Sequence, residues 1–302
     1  MVKKAVSIGE AMIEMSGGTG GSYRLGFAGD TLNTAYYLKA LLDADWSVSY
    51  FTAVGDDIYS RKMVEFIAGT GIDTGSIATI AGKRAGLYMI HQAEGDRHFT
   101  YWRDTSAAKL LADDAHALET ALGEADLIYF SGITLAILAA PARQRLIDAI
   151  GARRRAGARV AFDPNIRPAL WPDKASVAAA LTAAADVASI VLPTHADEVP
   201  YFGDADAQAT AARYLKAGCE EVVVKNGADP ALVVTHDGSW TVGARRVESV
   251  VDATGAGDSF NGAYLAARLS DASPEEAAKA GHATASVVIG HHGALVPKEV
   301  LG

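Results

Sequence analysis

The sequence predicts an α/β fold in which a mainly parallel sheet carries helices on both faces, with a second, smaller β-sheet beside it. Short apolar runs alternate with longer segments rich in alanine and leucine, which is the pattern of repeated strand–helix units. Two further segments, 10–27 and 84–102, break this pattern because their polar and apolar residues alternate with period two around turn residues. The repeated units indicate the large sheet, and the two interruptions indicate the small one.

The strands of the large sheet are expected to be short, apolar and fully buried. Six runs have this character: 5–9, 47–55, 126–132, 158–163, 189–192 and 221–225. Helices are predicted between and after them, over 31–43, 58–69, 137–156, 173–184, 206–217, 257–269 and 274–290. The last helix has a clear start, because Pro274 fits the first turn and the acidic residues that follow it favour the positive end of the helix dipole.

The segments 10–27 and 84–102 are each predicted to form a pair of short strands. One pair turns at a glycine-rich loop, and the other is a hairpin around Glu94-Gly95-Asp96. A sheet that leaves an α/β core in two insertions suggests a lid over a cleft, and its open face is suited to a dimer partner. We therefore expect a homo-oligomer through this lid, and a core formed by the remaining segments 1–9, 28–83 and 103–302.

Composition limits the kinds of partner. The chain has 302 residues, with 36 acidic against 27 basic side chains and a formal charge of −9, which argues against nucleic acid or an anionic membrane. Its one cysteine, Cys219, allows no internal disulfide and is expected to be an inert thiol. The start of the chain resembles no signal peptide, and no apolar run is long enough to span a membrane. These features predict a cytoplasmic protein.

The stretch VDATGAGDSF, residues 251–260, is the strongest candidate for chemistry. Gly255, Ala256 and Gly257 precede a predicted helix, whose first turn offers unpaired N–H groups that a phosphate could approach closely. Asp258 beside such an anion site makes sense as a base that accepts the proton of a hydroxyl during phosphoryl transfer. The alternative is a glycine turn with an aspartate that simply starts a helix.

Three other stretches place polar residues at helix starts or strand ends. AGDTLNTAYYL brings Gly29, Asp30 and Asn33 to the start of a helix, where the asparagine is suited to sugar hydroxyls and where simple capping is the alternative. FTYWRD and FDPNIRPALW supply Arg103 and Arg167. Each arginine could grip a carboxylate through two parallel hydrogen bonds, or could be a solvated surface charge.

Several common catalytic patterns are absent from the sequence. It contains no G-x-x-x-x-G-K-[ST], no G-x-G-x-x-G, no G-x-S-x-G and no H-E-x-x-H, and its eight histidines show no metal-ligand spacing. A dehydrogenase is therefore disfavoured by the missing dinucleotide fingerprint. A non-catalytic sugar- or nucleotide-binding regulator is disfavoured by the presence of Asp258.

Taken together, five motifs resemble the ribokinase-like, PfkB-type carbohydrate kinases over essentially the whole chain. They are IGEAMIEM, GFAGDTLNTAYYL, YWRDTSAAKL, FDPNIRPALW and VDATGAGDSF, in this order. The resemblance implies an αβα sandwich with a small β-sheet lid. It also implies transfer of the γ-phosphoryl group of ATP, with Mg²⁺ and a monovalent cation as further candidate cofactors. Within the family it favours a sugar acid, 2-keto-3-deoxy-D-gluconate, as the acceptor through its 6-hydroxyl, with a fructokinase or another neutral-sugar kinase as the alternative.

The same resemblance assigns roles to individual residues. Asp258 would be the catalytic base, and the backbone of the residues before it would form an anion hole: Gly255, Ala256 and Gly257. The sugar-acid pocket would be lined by Gly29, Asp30, Asn33, Tyr88, Tyr101, Arg103 and Arg167. Nucleotide contacts would come from Asn165, Lys225, Gly227 and His282. The N-x-x-E motif that organises Mg²⁺ in many family members is replaced here by Thr194 and Asp197. Asp197 or Glu198 could still orient metal-bound water, and the sequence assigns no metal ligand.

Overall fold

The computed structural model describes residues 2–17, 21–93, 96–245, 247 and 249–301. Its strands are β1 (Lys3–Ile8), β2 (Met12–Gly17), β3 (Tyr23–Ala28), β4 (Trp46–Gly55), β5 (Ile77–Ile80), β6 (Gly86–Ala93), β7 (Asp96–Trp102), β8 (Leu127–Ser131), β9 (Arg159–Asp163), β10 (Ile190–Val191), β11 (Glu221–Val224), β12 (Ala231–Thr235) and β13 (Gly238–Val242). Its α-helices are α1 (Asp30–Leu41), α2 (Ile58–Gly69), α3 (Ala115–Leu122), α4 (Gly132–Ile137), α5 (Ala140–Arg155), α6 (Lys174–Ala185), α7 (His195–Phe202), α8 (Ala207–Lys216), α9 (Ala256–Leu269) and α10 (Pro274–Val288).

Within these residues the large sheet has the order β13-β12-β11-β10-β9-β8-β1-β4-β5. Every pair from β5 to β11 is parallel, and only the edge strands β12 and β13 run antiparallel to their neighbours. The chain proceeds from β1 towards one edge and later from β8 towards the other, so the strand order reverses between β1 and β8. In open α/β sheets, ligands bind beyond the carboxyl ends of the strands near such a reversal.

The hydrophobic core lies in two layers, one on each face of the large sheet. Alternate residues of each buried strand face opposite layers, as Val6 and Ala5 do in β1. One layer packs against α3, α4, α5, α6 and α8, and the other packs against α1, α2, α9 and α10. The predicted αβα sandwich is confirmed.

Helices α1 and α9 pack closely because a glycine lies at their contact. A Cβ atom built on Gly262 would lie 2.7 Å from Tyr37 Cβ and 2.8 Å from Thr34 O, so a larger residue would force the helices apart. This approach brings the amino-terminal ends of the two helices together at the carboxyl edge of the sheet, where the candidate site lies.

The small sheet has the order β3-β2-β6-β7. β2 and β6 are parallel, while β2–β3 and β6–β7 are antiparallel pairs, as the two predicted hairpin-like segments require. The tip of the second hairpin at Glu94-Gly95 and residues 18–20 of the glycine-rich loop lie outside the described residues. The small separate sheet is confirmed, whereas the division of the chain into core and lid units stays a prediction.

Several elements differ from the sequence prediction. The pattern missed β5, the antiparallel pair β12–β13, and the helices α3 and α7, each of which is short or has a mixed surface. The predicted helix 137–156 begins three residues later, as α5 (Ala140–Arg155), because the chain is extended at Leu138 and Ala139, and the short helix α4 before it was not predicted. In the part of the chain that the structure describes, no helix has both the length and the apolar character needed to cross a bilayer.

Candidate active site

A cavity of about 920 Å³ lies at the carboxyl edge of the large sheet, beneath the small sheet. It brings together most of the residues that the sequence singled out, from positions far apart in the chain. Those that line it are Gly29, Asp30, Asn33, Tyr88, Tyr101, Arg103, Asn165, Arg167, Lys225, Gly255, Ala256, Gly257 and Asp258. Asp163, Thr194, Asp197 and Asp252 line it as well.

The floor of the cavity is formed by the loop that leads into α9. Gly255 precedes the helix in the left-handed conformation, with φ of 77°, and a Cβ atom there would lie 2.8 Å from Ala294 O. Asp252 shapes the loop, since its carboxylate accepts hydrogen bonds from Thr254 N at 2.9 Å and Gly293 N at 2.7 Å. Ala256 N–H donates to Ala253 O at 3.3 Å. Helix geometry leaves the N–H groups of Gly257 and Asp258 without partners inside the helix, so these two amides are the candidate anion site.

Asp258 lies in the first turn of α9 and faces α1. Asn33 Nδ2 donates a hydrogen bond to Asp258 Oδ2 at 2.8 Å, and Gly29 N donates to Asn33 Oδ1 at 3.4 Å. Burial, followed by the negative charge of Asp30, raises the pKa of Asp258 to about 7, against the opposing hydrogen bond from Asn33. A carboxylate with this pKa is suited to accept a proton near neutral pH. Asn33, predicted to bind sugar, therefore also positions the candidate base.

A buried polar network lies directly below the loop. Lys225 Nζ donates to Asp163 Oδ2 at 2.8 Å and to Asn261 Oδ1 at 3.1 Å, and Asn261 Nδ2 donates to the same Asp163 oxygen at 2.6 Å. Asn261 Nδ2 also donates to Tyr129 OH at 3.1 Å. The pairing with Asp163 satisfies the lysine charge away from solvent, and a Cβ atom built on Gly257 would lie only 3.8 Å from Lys225 Nζ. The network therefore holds a positive charge beside the candidate anion site.

Sequence reasoning gave no role to Asn261, although its position offered a signal. It follows Asp258 by three residues, about one helical turn, so both side chains lie on the same side of α9. Asp163 is the last residue of β9. Its partner Lys225 follows β11, which lies two strands away in the sheet, so the contact depends on the sheet order.

Asp30 and Asn165 form a second polar contact in the cavity. Asn165 Nδ2 donates to Asp30 Oδ2 at 2.8 Å, and Asn165 N donates to Asp163 Oδ1 at 3.0 Å. Asn165 adopts a positive φ of 31°, which turns the chain after β9 towards α1. Burial raises the pKa of Asp30, while hydrogen bonds from Ser131 and Asn165 oppose that rise.

The two arginines differ in their surroundings. Arg103 is mostly buried, pairs through Nη2 with Glu10 Oε2, and has its Cζ 5.9 Å from the Tyr101 ring centroid. Arg167 has a side chain that is 53% exposed and an Nη1 that lies 3.9 Å from Asp197 Oδ2. Arg103 is therefore held in one place, whereas Arg167 is a more accessible cation at the same cavity.

Two buried glutamates in IGEAMIEM were not assigned by the sequence. Glu10 accepts from Arg103 and Ser106, and Glu14 accepts from Tyr88 OH at 2.5 Å. Their spacing of four along a segment with period-two alternation was a usable signal, because it puts two carboxylates on the inward face of the sheet beside the apolar positions.

Two residues predicted to contact the nucleotide do not line the cavity. Gly227 lies in the turn after β11 with φ of 62°. His282 lies on α10, where its Nε2–H donates to Val242 O at 3.1 Å and its ring packs edge-on against Phe260. Burial lowers the pKa of His282, so the neutral ring is favoured. Their roles stay predictions.

The donors suit a metal ion that is held mainly by phosphate and water. Among the described residues, no group of three or more histidine, cysteine, aspartate or glutamate side chains could hold a metal ion by itself. Thr194 and Asp197 line the cavity, and burial raises the pKa of Asp197. Mg²⁺ typically keeps several waters and takes one or two carboxylates together with substrate phosphates, so these residues fit its needs.

Comparison with known proteins agrees with this geometry. A model of the pfkB family of carbohydrate kinases matches residues 2–300. The 2-dehydro-3-deoxygluconokinase of Escherichia coli K12 is 40% identical, over 100% of this chain and 99% of the relative. Fructokinase-1 of Oryza sativa subsp. japonica is 29% identical, over 82% of this chain and 79% of the relative.

Among solved structures, an Escherichia coli protein described as ribokinase II, in complex with ATP and Mg²⁺, has a TM-score of 0.85. The match covers 97% of this chain and 94% of that chain, at 22% identity. That likeness shows the fold alone.

The full-length match to the deoxygluconokinase favours a sugar-acid kinase over a fructokinase. Cavity, loop and full-length similarity together show that the chain belongs to the pfkB family of carbohydrate kinases.

Proposed function

We propose that this chain transfers the γ-phosphoryl group of ATP to the 6-hydroxyl of 2-keto-3-deoxy-D-gluconate, which is also called 2-dehydro-3-deoxygluconate. The observation that carries the proposal is the position of Asp258, a carboxylate with a pKa of about 7 at the start of α9, beside unpaired amides and above a buried lysine. The 40% identity to a 2-dehydro-3-deoxygluconokinase over the full chain supports the choice of acceptor.

Asp258 accepts the proton of the acceptor hydroxyl in this proposal. The hydrogen bond from Asn33 holds one carboxylate oxygen, which orients the side chain towards the cavity. The amides of Gly257 and Asp258, together with the ammonium of Lys225, stabilise the negative charge that develops on the transferring group. Mg²⁺, when bound, would neutralise phosphate charge, and Thr194 and Asp197 would hold it through water.

The acid end of the acceptor is bound by the two arginines. Arg103 and Arg167 line the same cavity as Asp258, and each guanidinium can present two N–H groups to one carboxylate. Tyr88 and Tyr101 stand beside them on the small sheet, with ring centroids 5.8 Å apart. A neutral sugar has no carboxylate to accept hydrogen bonds from these two guanidinium groups, so their presence in this wall supports a sugar acid.

The test is a panel of acceptors assayed for ATP consumption at matched concentrations. We expect 2-keto-3-deoxy-D-gluconate to be turned over with a higher kcat/KM than fructose or ribose, and ³¹P and ¹³C NMR to place the phosphate on the 6-oxygen. Faster turnover of either neutral sugar would contradict the proposal. Repeating the assay with K⁺ replaced by a bulky organic cation tests whether the reaction requires a monovalent cation, the further cofactor that the family resemblance implies.

We also propose a homo-oligomer formed through the small sheet in a cytoplasmic enzyme. Leu25 and Trp102, which are 40% and 56% exposed, lie on the face opposite Tyr88 and Tyr101 by strand register. The exposed part of this face favours a second copy, because Leu25 and Trp102 are large apolar side chains that lie open to solvent. Leu25→Asp should shift the sedimentation coefficient towards that of a monomer, and an unchanged coefficient would contradict this interface.

A further inference from the structure

Glu10 is a buried carboxylate for which the proposed reaction has no role. Its residue is 1% exposed, and both of its oxygens are occupied. Arg103 Nη2 donates to Oε2, and Ser106 Oγ donates to Oε1. A buried carboxylate of this kind lowers the stability of the fold unless it is paired with a cation and hydrogen-bonded, and Arg103 and Ser106 together meet both conditions.

The contacts of Glu10 with Arg103 and Ser106 join two segments of the chain that run between the large and small sheets. Glu10 lies between the end of β1 and the start of β2, and Arg103 and Ser106 follow the end of β7. A third passage is attached nearby, because Ala107 N donates to Arg84 O at 2.9 Å just before β6. The Glu10 carboxylate therefore fixes the position of the segment that returns from the small sheet, and with it the position of Arg103.

The pairing leaves much of the guanidinium available. Arginine has five N–H donors in a rigid plane, and the contact to Glu10 uses one Nη. The Arg103 side chain is 11% exposed, and that exposed part lines the cavity. The Tyr101 ring limits motion on another side, with 5.9 Å between its centroid and Arg103 Cζ. Arg167, by contrast, is 53% exposed and has no comparable buried partner among the described residues.

We propose that Glu10 is a positioning residue for acceptor binding: it fixes the Arg103 guanidinium so that its free N–H groups face the acceptor's carboxylate. The inference rests on the proposed function, since it assumes an acceptor that carries a carboxylate. Preorganisation of this kind lowers the ordering cost of binding, because the side chain loses little freedom when the ligand arrives. The competing explanation is that Glu10 only stabilises the junction of the two sheets.

A double-mutant cycle of Glu10→Gln and Arg103→Ala tests the inference. Glutamine keeps the size and an acceptor oxygen but loses the charge, so it is the variant expected to fold, and Glu10→Ala is the stronger form of the same change. A charge-assisted hydrogen bond contributes about 1.5–3 kcal/mol, so Arg103→Ala should raise the KM for the keto acid by about 10- to 100-fold. Glu10→Gln should raise it by about 3- to 10-fold, with the KM for ATP and the kcat changed by less than about twofold.

The double variant should be no worse than Arg103→Ala alone, because Glu10 acts through that arginine. Effects that multiply, or an equal rise in the KM for ATP, would overturn the inference. Glu221→Gln is the matched control: Glu221 is also buried and pairs with Arg268 at 2.7 Å, but it lies at the opposite, amino-terminal end of β11. Its substitution should lower the melting temperature without changing the KM for the keto acid.

The same experiment separates this inference from the proposed function. A wild-type enzyme that phosphorylates only neutral sugars contradicts the proposed function, and the inference falls with it. A wild-type enzyme that phosphorylates the keto acid, with Glu10 and Arg103 contributing independently, contradicts the inference alone.

Discussion

Replacing Asp258 by asparagine removes the proposed base and leaves its surroundings almost unchanged. Asparagine has the same shape, and its Oδ1 can still accept the 2.8 Å hydrogen bond from Asn33. The ability to take a proton is the property that is lost, so we expect kcat to fall by about 10²- to 10⁴-fold. ATP binding should persist, because the amides of the loop and the ammonium of Lys225 remain in place.

The pH dependence follows from the pKa of the same group. Burial and the negative charge of Asp30 raise the pKa of Asp258 to about 7, and a base works in its deprotonated form. In the wild type, kcat/KM should therefore fall about tenfold per pH unit as the pH drops below about 7. The residual activity of Asp258→Asn should lack this acidic limb.

Stability gives a readout that does not depend on turnover. The folded-state pKa of Asp258 lies above the ordinary value of 3.8, so the folded protein holds the proton more tightly than the unfolded chain. The wild type therefore loses stability from this group as the pH rises from about 4 to about 7, and the loss is constant above that range. Asp258→Asn should melt at a higher temperature than the wild type at pH 8, with a smaller difference at pH 5.

Steady-state kinetics between pH 5.5 and 9, with ATP affinity from calorimetry, measure these effects. Asp114→Asn is the control, because Asp114 lies away from the cavity and caps α3 by accepting hydrogen bonds from His116 N and Ala117 N, and asparagine can cap equally well. Near-normal turnover by Asp258→Asn would show that Asp258 only starts the helix. A lost affinity for ATP would show instead that the substitution disturbs the loop.

Three further substitutions test other parts of the site. Arg167→Ala should raise the KM for the keto acid about tenfold or more and leave that for ATP nearly unchanged, because the arginine is assigned to the carboxylate; equal effects on both would place it outside the acceptor pocket. Asn33→Ala should lower kcat and move the acidic limb of the pH profile to higher pH. The hydrogen bond from Asn33 favours the charged form of Asp258, so its loss should raise the pKa of that carboxyl group further; an unmoved limb would contradict that role. Gly255→Ala should lower the melting temperature by several degrees and reduce kcat. A φ of 77° costs alanine about 1–2 kcal/mol, and the new Cβ would lie 2.8 Å from Ala294 O. A stable, active variant would show that the loop does not need glycine.

Local features of the site were predictable from the sequence. The alternation of apolar runs and alanine-rich helices predicts a parallel sheet, and the carboxyl ends of parallel strands gather at one edge. The small residues of VDATGAGDSF predict a helix start after a glycine turn, and α9 begins there, behind the left-handed Gly255 and at the cavity that Asp258 lines. That this helix start binds a phosphate stays a prediction. Short elements such as β5 and α7 were missed because a few residues carry too little periodicity to separate strand, helix and loop.

What the sequence by itself determined is the set of local structures and the kinds of chemical group placed at their ends, because periodicity, capping and turn formation depend on near neighbours. Only the tertiary structure decided which charges meet. Glu10 and Arg103 are 93 positions apart, and Lys225 and Asp163 are 62 positions apart, yet each pair shares one buried contact. The elevated pKa of Asp258 likewise arises from burial and from Asp30, which the packing of α1 against α9 brings near it.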